Sequence, residues 1–268
     1  MRYIEGLDTL SGALIPYVGL GTYALCGIEL HDAIGHALSS GYRLIDTASF
    51  YGNEKEVGAA IRSSSIKRED LFIITKLYPS EYKDARYKVK EAIERLDIAY
   101  LDMMMLHHPS HDDIDAYRAI EEAIDKGYVR YGGVSCYYEK EIDRFLSQVR
   151  TRPQIVQNEM HPYYQDAKVL EHLKALGLHA QSWYPLASRG YTKQLLEDEV
   201  IKDIAKRYHN TSAQVVLRWN IERDVIVIPG SSDKKHIEEN IVIFDFKLDQ
   251  DDMQAIALLE RHEKHDWY

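Results

Sequence analysis

From about residue 18 onward, short β-branched and aliphatic runs alternate with amphipathic helical windows. The runs are 17-YVGLG-21, 43-RLIDTA-48, 72-FIITKL-77, 101-LDMMMLHHP-109, 130-RYGGVS-135, 154-QIVQNEM-160, 179-HAQSWYP-185 and 225-VIVIPG-230. Windows such as 84-DARYKVKEAIERLD-97 and 113-DIDAYRAIEEAIDKG-127 lie between them, the second opening on acidic residues and stopping at a glycine. Such alternation predicts βα units and a parallel sheet, and eight strands is the number that closes a (β/α)8 TIM barrel. The terminal stretch 250–268 reads as one more helix with a short tail. No linker, low-complexity tract or longer repeat interrupts the chain, so residues 1–268 are expected to form a single α/β domain.

Composition narrows the partners. The chain has 268 residues, 45% of them hydrophobic, enough for one large core. Lys and Arg total 33 against 43 Asp and Glu, a net charge of −10, which argues against general affinity for nucleic acid or an anionic membrane. Any anion site must be local. Cys26 and Cys136 are far apart and in no metal-ligand spacing, so reduced thiols in a cytosolic protein are expected. The opening MRYIEGLDTLSG has no apolar core of the signal-peptide kind, and no stretch approaches the roughly 18 apolar residues of a membrane span. A soluble, cytoplasmic protein follows as the expectation.

The candidate chemistry sits where β-runs end. Asp46, Lys76 and His107 fall at or just after three of them, and Tyr51 follows Asp46 across one turn, with Gly52 and Asn53 to form that turn and Glu54 and Glu56 at the positive end of the next helix. A phenol has a pKa of roughly 10 and is a poor acid near neutrality unless a cation stands beside it. Lys76 is the candidate cation, Asp46 its anchor, and His107 the group that would orient a carbonyl oxygen or relay its proton. Each of these residues alone has an ordinary structural reading as cap, packing aromatic, strand end or core histidine. Their joint placement carries the argument.

The sequence resembles the aldo-keto reductases along nearly its whole length. The matching segments are 19-GLGTY-23, 41-GYRLIDTASFYGNEKEVG-58, 74-ITKL-77, 101-LDMMMLHHP-109, 132-GGVS-135, 154-QIVQNEMHPYYQ-165, 182-SWYPL-186, 227-VIPGSS-232 and 237-IEEN-240. The resemblance implies that Asp46, Tyr51, Lys76 and His107 are the catalytic tetrad, with Tyr51 as general acid. It also implies an N-terminal hairpin, from 2-RYIEGLDTLSGALIP-16, plugging the bottom of the barrel.

No GxGxxG follows a strand, so a Rossmann domain is not supported and the nicotinamide cofactor must be held otherwise. By resemblance, Ser135 and Gln157 hold the carboxamide and Trp183 stacks on the ring, with Thr22, Pro185 and Leu186 nearby. Glu239 and Asn240 match adenine contacts. The pattern departs at three places. Cys136 replaces the usual Asn after Gly-Val-Ser, and Gly230 and His236 replace the Lys and Arg that serve the adenosine 2′-phosphate. Ser231, Ser232, Lys234 and Lys235 remain at a glycine-led helix N-terminus whose free N–H groups suit a phosphate. NADP(H) is therefore favoured, with NAD(H) open.

The function expected is NAD(P)H-dependent reduction of an aldehyde or ketone by a monomer. Tyr23, Tyr78, His108 and Trp183 would wall the substrate pocket, and the short tail suggests an open mouth. No metal is expected. A metal hydrolase built on His107, His108, His111 and His161 is disfavoured because adjacent residues at a strand end point to opposite sides. A non-catalytic nucleotide-binding barrel acting as sensor or subunit is the remaining alternative, and the intact tetrad argues against it.

Overall fold

The computed structural model describes residues 5–8, 12–188 and 190–265. A hairpin of β1 (Gly6–Asp8) and β2 (Leu14–Pro16) precedes eight parallel strands in chain order: β3 (Gly19–Gly21), β4 (Leu44–Asp46), β5 (Phe72–Leu77), β6 (Leu101–Leu106), β7 (Val129–Ser135), β8 (Ile155–Glu159), β9 (His179–Trp183) and β10 (Val225–Val227). The sheet closes on itself. Val18 bridges Val227 in parallel, Val227 N–H donates to Tyr17 O at 2.8 Å, and Gly21 N–H donates to Pro229 O at 3.4 Å. The chain is a (β/α)8 barrel.

Helices α1 (Gly27–Ser40), α2 (Glu54–Ser63), α3 (Ala85–Leu96), α4 (Asp113–Asp125), α5 (Glu139–Leu146) and α6 (Ala167–Ala175) each return one strand to the next. After β9 come α7 (Thr192–Leu196), α8 (Glu199–Tyr208) and α9 (Ser212–Glu222), and after β10 come α10 (Lys234–Asn240) and α11 (Gln250–Ala257). Beyond Ala257 the chain is irregular through residue 265, and the end of the predicted tail, 266–268, lies outside the described residues, as do 2–4 and 9–11 of the predicted hairpin.

Alternation along the strands explains why the β-runs read as nearly continuous hydrophobic stretches. Residues two apart share a face. Leu44, Ile74, Met103, Met105, Ile155 and Ile226 pack into one buried cluster, whereas their neighbours Ile45, Ile73, Met104 and Val156 join the larger cluster under the helices. Ile15 of β2 is fully buried in the first cluster and Leu7 packs against it, so the hairpin does plug the barrel. Gly133 makes room in this crowded layer: a Cβ there would lie 2.7 Å from the Met105 methyl carbon and 2.9 Å from Met103 Sδ.

Candidate active site

The inward parity that fills the barrel bottom with Leu44 and Ile74 sets Asp46 and Lys76 inward two residues later, at the other end of the same strands. Both are buried, Lys76 completely. They form an ion pair through Asp46 Oδ1, and the ammonium also donates to Thr47 O at 3.0 Å. Burial pushes the Asp46 carboxyl above its usual range and the Lys76 ammonium below its own, and in each case the partner's charge opposes the shift.

Tyr51 ends a 3-10 turn, Ser49–Tyr51, that Gly52 closes in the left-handed region at φ 68°. Two buried braces hold this turn. Asn53 donates to the carbonyls of Thr22 (2.9 Å) and Leu25 (3.0 Å) and accepts from Thr47 Oγ1 at 2.8 Å. Glu54 accepts from Thr75 Oγ1 at 2.6 Å and pairs with Arg95 at 2.5 Å. Asn53 and Glu54 thus do more than form a turn and face a helix dipole: they tie the Tyr51 loop to β3, β4 and β5.

The Lys76 ammonium stands over the Tyr51 ring, 5.4 Å from its centroid, and the His107 ring meets the Tyr51 ring edge-on at 5.7 Å. The four predicted residues therefore meet at one end of the barrel. The cationic tuning expected of Lys76 is not expressed in this geometry. Burial, followed by the Asp46 charge, pushes the Tyr51 phenol well above its ordinary pKa.

His107 and His108 correct another expectation. Their rings do not diverge but stack at 4.6 Å, 6° from parallel, and both line the cleft. Strand β6 ends at Leu106, so the two-residue alternation no longer applies. Tyr82, which the sequence did not mark, fixes the bend by donating to His108 O at 2.6 Å and accepting from His108 N at 3.2 Å. Burial and the nearby Lys76 charge push His107 well below its ordinary pKa and lower His108 to about 4, so both imidazoles are neutral near pH 7.

A cleft of about 890 Å³ runs from this cluster to the start of α10. Thr22, Tyr23, Tyr78, Ser135, Gln157 and Trp183 lie along its walls, followed by Pro185 and Leu186, with Ser231, Ser232 and His236 at the far end. Gln157 donates to Asp46 Oδ2 at 2.8 Å and to Gln181 Oε1 at 2.6 Å, which leaves its carbonyl oxygen as an acceptor. Thr22 commits its hydroxyl to Asp46 O at 3.0 Å, a structural use. Glu239 and Asn240 do not reach the cleft: Glu239 pairs with Lys235 at 3.6 Å, and Asn240 is buried.

The phosphate-binding expectation at α10 meets an obstacle. Asp233 caps the helix, its Oδ1 accepting from Lys235 N at 2.8 Å and His236 N at 3.1 Å. A carboxylate already occupies N–H groups that a phosphate would use. Lys234 and Lys235 turn to Glu238 and Glu239 and do not line the cleft.

Sequence reasoning read a short tail but not its path. Arg261 and Glu263 N–H both donate to Tyr163 O at 3.1 Å, and Arg261 lies 3.6 Å over the Tyr163 ring. His265 N–H then donates to Glu159 Oε1 at 2.7 Å, and its ring becomes part of the cleft wall. The tail is a strap along one wall of the cleft.

Comparisons with known proteins agree with this geometry. The profile of the aldo/keto reductase family matches residues 18–261. Glyoxal reductase of Bacillus subtilis (strain 168) is 34% identical over 258 residues, covering 95% of this chain and 92% of its own. Morphine 6-dehydrogenase of Pseudomonas putida is 35% identical, covering 93% and 89%, and methylglyoxal reductase DkgA of Escherichia coli (strain K12) is 33% identical, covering 94% and 92%. An aldo-keto reductase from a Medee basin deep-sea metagenome library superposes with a TM-score of 0.94 at 32% identity, covering 97% of this chain and 96% of that one. With the ion pair, the tyrosine and the histidine gathered at one barrel mouth, these matches settle the kinship: the chain belongs to the aldo/keto reductase family.

Proposed function

We propose that this protein reduces a small aldehyde or ketone to an alcohol, with Tyr51 as the proton donor and a nicotinamide dinucleotide as the reductant. One observation carries the reading: a protonated phenol, a buried Lys76–Asp46 pair and a neutral imidazole meet at the inner end of a cleft large enough for a dinucleotide. The cofactor, when bound, supplies hydride. Trp183 offers an indole face for its ring, and Ser135 and the Gln157 carbonyl offer a donor and an acceptor for its carboxamide.

The chain's own part is proton supply and orientation. His107, neutral, donates a hydrogen bond to the carbonyl oxygen and turns it toward Tyr51. The phenol transfers its proton as charge develops on that oxygen, and the ammonium over the ring face offsets the phenolate that forms. Asp46 keeps the ammonium charged despite its complete burial.

The substrate wall is aromatic. Phe50 and Tyr78 stack at 4.5 Å, and Tyr23 packs on Tyr51 at 5.0 Å, with Tyr23 and Phe50 half exposed at the rim. Small aldehydes and α-dicarbonyls fit this opening, and the glyoxal and methylglyoxal reductases among the relatives support that class. NADP(H) is the favoured reductant, with only a modest preference over NAD(H), because Asp233 and the missing cations weaken the phosphate end. The protein is proposed to act as a monomer on small molecules, with no nucleic-acid or membrane partner. Among the described residues no helix is long and apolar enough to cross a membrane.

The test is a carbonyl panel run with NADPH and NADH side by side, following nicotinamide absorbance. Turnover of aldehydes or α-dicarbonyls is expected. Tight cofactor binding with no turnover of any carbonyl would favour a sensor barrel.

A further inference from the structure

We propose that Glu159, His161 and His265 form a binding site for a divalent transition metal of the zinc class, tying the C-terminal strap to the barrel wall. The three residues come from different elements: Glu159 ends β8, His161 follows in the next turn, and His265 arrives from the tail. Their side chains are 0%, 0% and 3% exposed. One ligand atom from each lies within 4.8 Å of the others. His161 Nε2 is 3.0 Å from Glu159 Oε1, and His265 Nδ1 is 3.8 Å from the same oxygen. Zinc sits about 2.0–2.2 Å from imidazole nitrogen and carboxylate oxygen, so three donors this close can surround it after small movements.

The ring nitrogens nearest the carboxylate, His161 Nε2 and His265 Nδ1, are the candidate ligand atoms. The opposite nitrogens, His161 Nδ1 and His265 Nε2, are buried with no hydrogen-bond partner among the described residues, so no described residue fixes either ring from behind. Two imidazoles and one carboxylate is a donor set suited to zinc, cobalt or nickel and a poor one for magnesium or calcium.

The rings now stack at 4.7 Å, 18° from parallel, which directs their lone pairs side by side and not toward one point. Binding therefore requires His265 to tilt off His161. Its other face rests on Tyr191 at 3.9 Å, and its Nδ1 accepts weakly from Ser188 N at 3.4 Å. An occupied site would hold the strap, β8 and the loop of Ser188 and Tyr191 together along one wall of the cleft. This site is separate from the His107–His108 pair and does not depend on the proposed reaction.

The probe is Co2+ added to chelator-treated full-length protein, read by its visible d–d absorption, with Zn2+ competition and thermal melting in parallel. One equivalent of Co2+ should give absorption typical of a four- or five-coordinate nitrogen and oxygen site, displaced by Zn2+, and Zn2+ should raise the melting temperature. Outer-shell changes alone cost roughly 10–100-fold in metal affinity, so loss of a ligand in His265→Ala should cost at least that much. Glu159→Gln serves as a second variant, and the His161 imidazole proton signals in the folded wild type should shift as the stack opens. No Co2+ absorption, or binding undiminished in a folded His265→Ala, would overturn the site. Loss of binding in His108→Ala with retention in His265→Ala would move the ion to the other histidine pair and overturn it equally.

Discussion

Lys76 holds its ammonium over the face of the Tyr51 ring while bonding to Asp46 and Thr47. The cation is committed to its anion first and can serve the phenol only as charge develops there. This arrangement suits a site that keeps Tyr51 protonated until a carbonyl oxygen is in place.

Tyr51→Phe should remove reduction while leaving cofactor affinity nearly unchanged, since only the hydroxyl is lost. A positioned general acid is worth roughly 10²–10⁴-fold, so kcat should fall by at least about a hundredfold. Single-turnover rates and cofactor titration measure both halves, and a variant keeping a tenth of wild-type kcat would rule out the acid role.

Lys76→Met should abolish turnover and also destabilise the fold, because it strands the Asp46 carboxylate in the interior. Removing one partner of a buried ion pair costs about 3–5 kcal/mol. Adding Asp46→Asn should recover much of that stability and none of the activity. Urea unfolding of the single and double variants distinguishes the two effects, and a double variant no more stable than Lys76→Met would show that the pair is not the source of the loss.

The paired histidines should contribute a loss of stability as the pH drops from about 6.5 toward 4, opposed by Asp166, whose carboxyl burial raises to about 6. His108 is lowered from 6.5 to about 4 in the folded protein, so across that window the unfolded chain binds more protons at this group. Its contribution to stability then rises with pH, being fully present above the unfolded value and lost as pH falls through the window. His107, held well below its ordinary value, adds in the same sense. Denaturation midpoints at pH 7 and pH 5 should differ less in His108→Gln than in wild type; an unchanged difference would assign the slope to other groups.

Trp183 should report the cofactor. It lines the cleft, and its Nε1 is buried without a hydrogen-bond partner among the described residues. NADPH should quench tryptophan emission in wild type and much less in Trp183→Phe. A full quench in the variant would place the nicotinamide elsewhere.

The barrel and the inner site were legible because they obey short-range rules. Alternation placed Asp46 and Lys76 on the lumen face, and the strand ends placed His107 with them. What the sequence concealed depends on contacts far along the chain. Tyr82 fixing the bend at His108, Asn53 tying the Tyr51 loop to Thr22, and His265 returning to Glu159 across 106 positions leave no periodic mark. The divergence expected of His107 and His108 failed for a local reason, since alternation holds only while the strand lasts. The tail's course along the cleft wall was hidden because tail length is readable and tail path is not.

On the proposed function, Asp233 is the residue expected to weaken NADP(H) binding. Its carboxylate caps α10 and lies at the cleft end where a 2′-phosphate would be placed, so it opposes that anion by charge and by competing for N–H donors. Restoring a lysine at Gly230 is awkward, since a Cβ there would stand 3.0 Å from Gly21 O. The better variant is Asp233→Asn with His236→Arg: asparagine caps a helix as well as aspartate does, and arginine adds a bidentate phosphate donor. NADPH should tighten by about 1–3 kcal/mol, the range for charged hydrogen bonds, with NADH nearly unchanged. The gain should shrink with salt, because exposed charges are screened over roughly 8–10 Å near physiological ionic strength. Dissociation constants for both cofactors at low and high salt decide it. Equal tightening of NADH, or a wild-type preference already large and indifferent to salt, would mean that the phosphate is held away from α10.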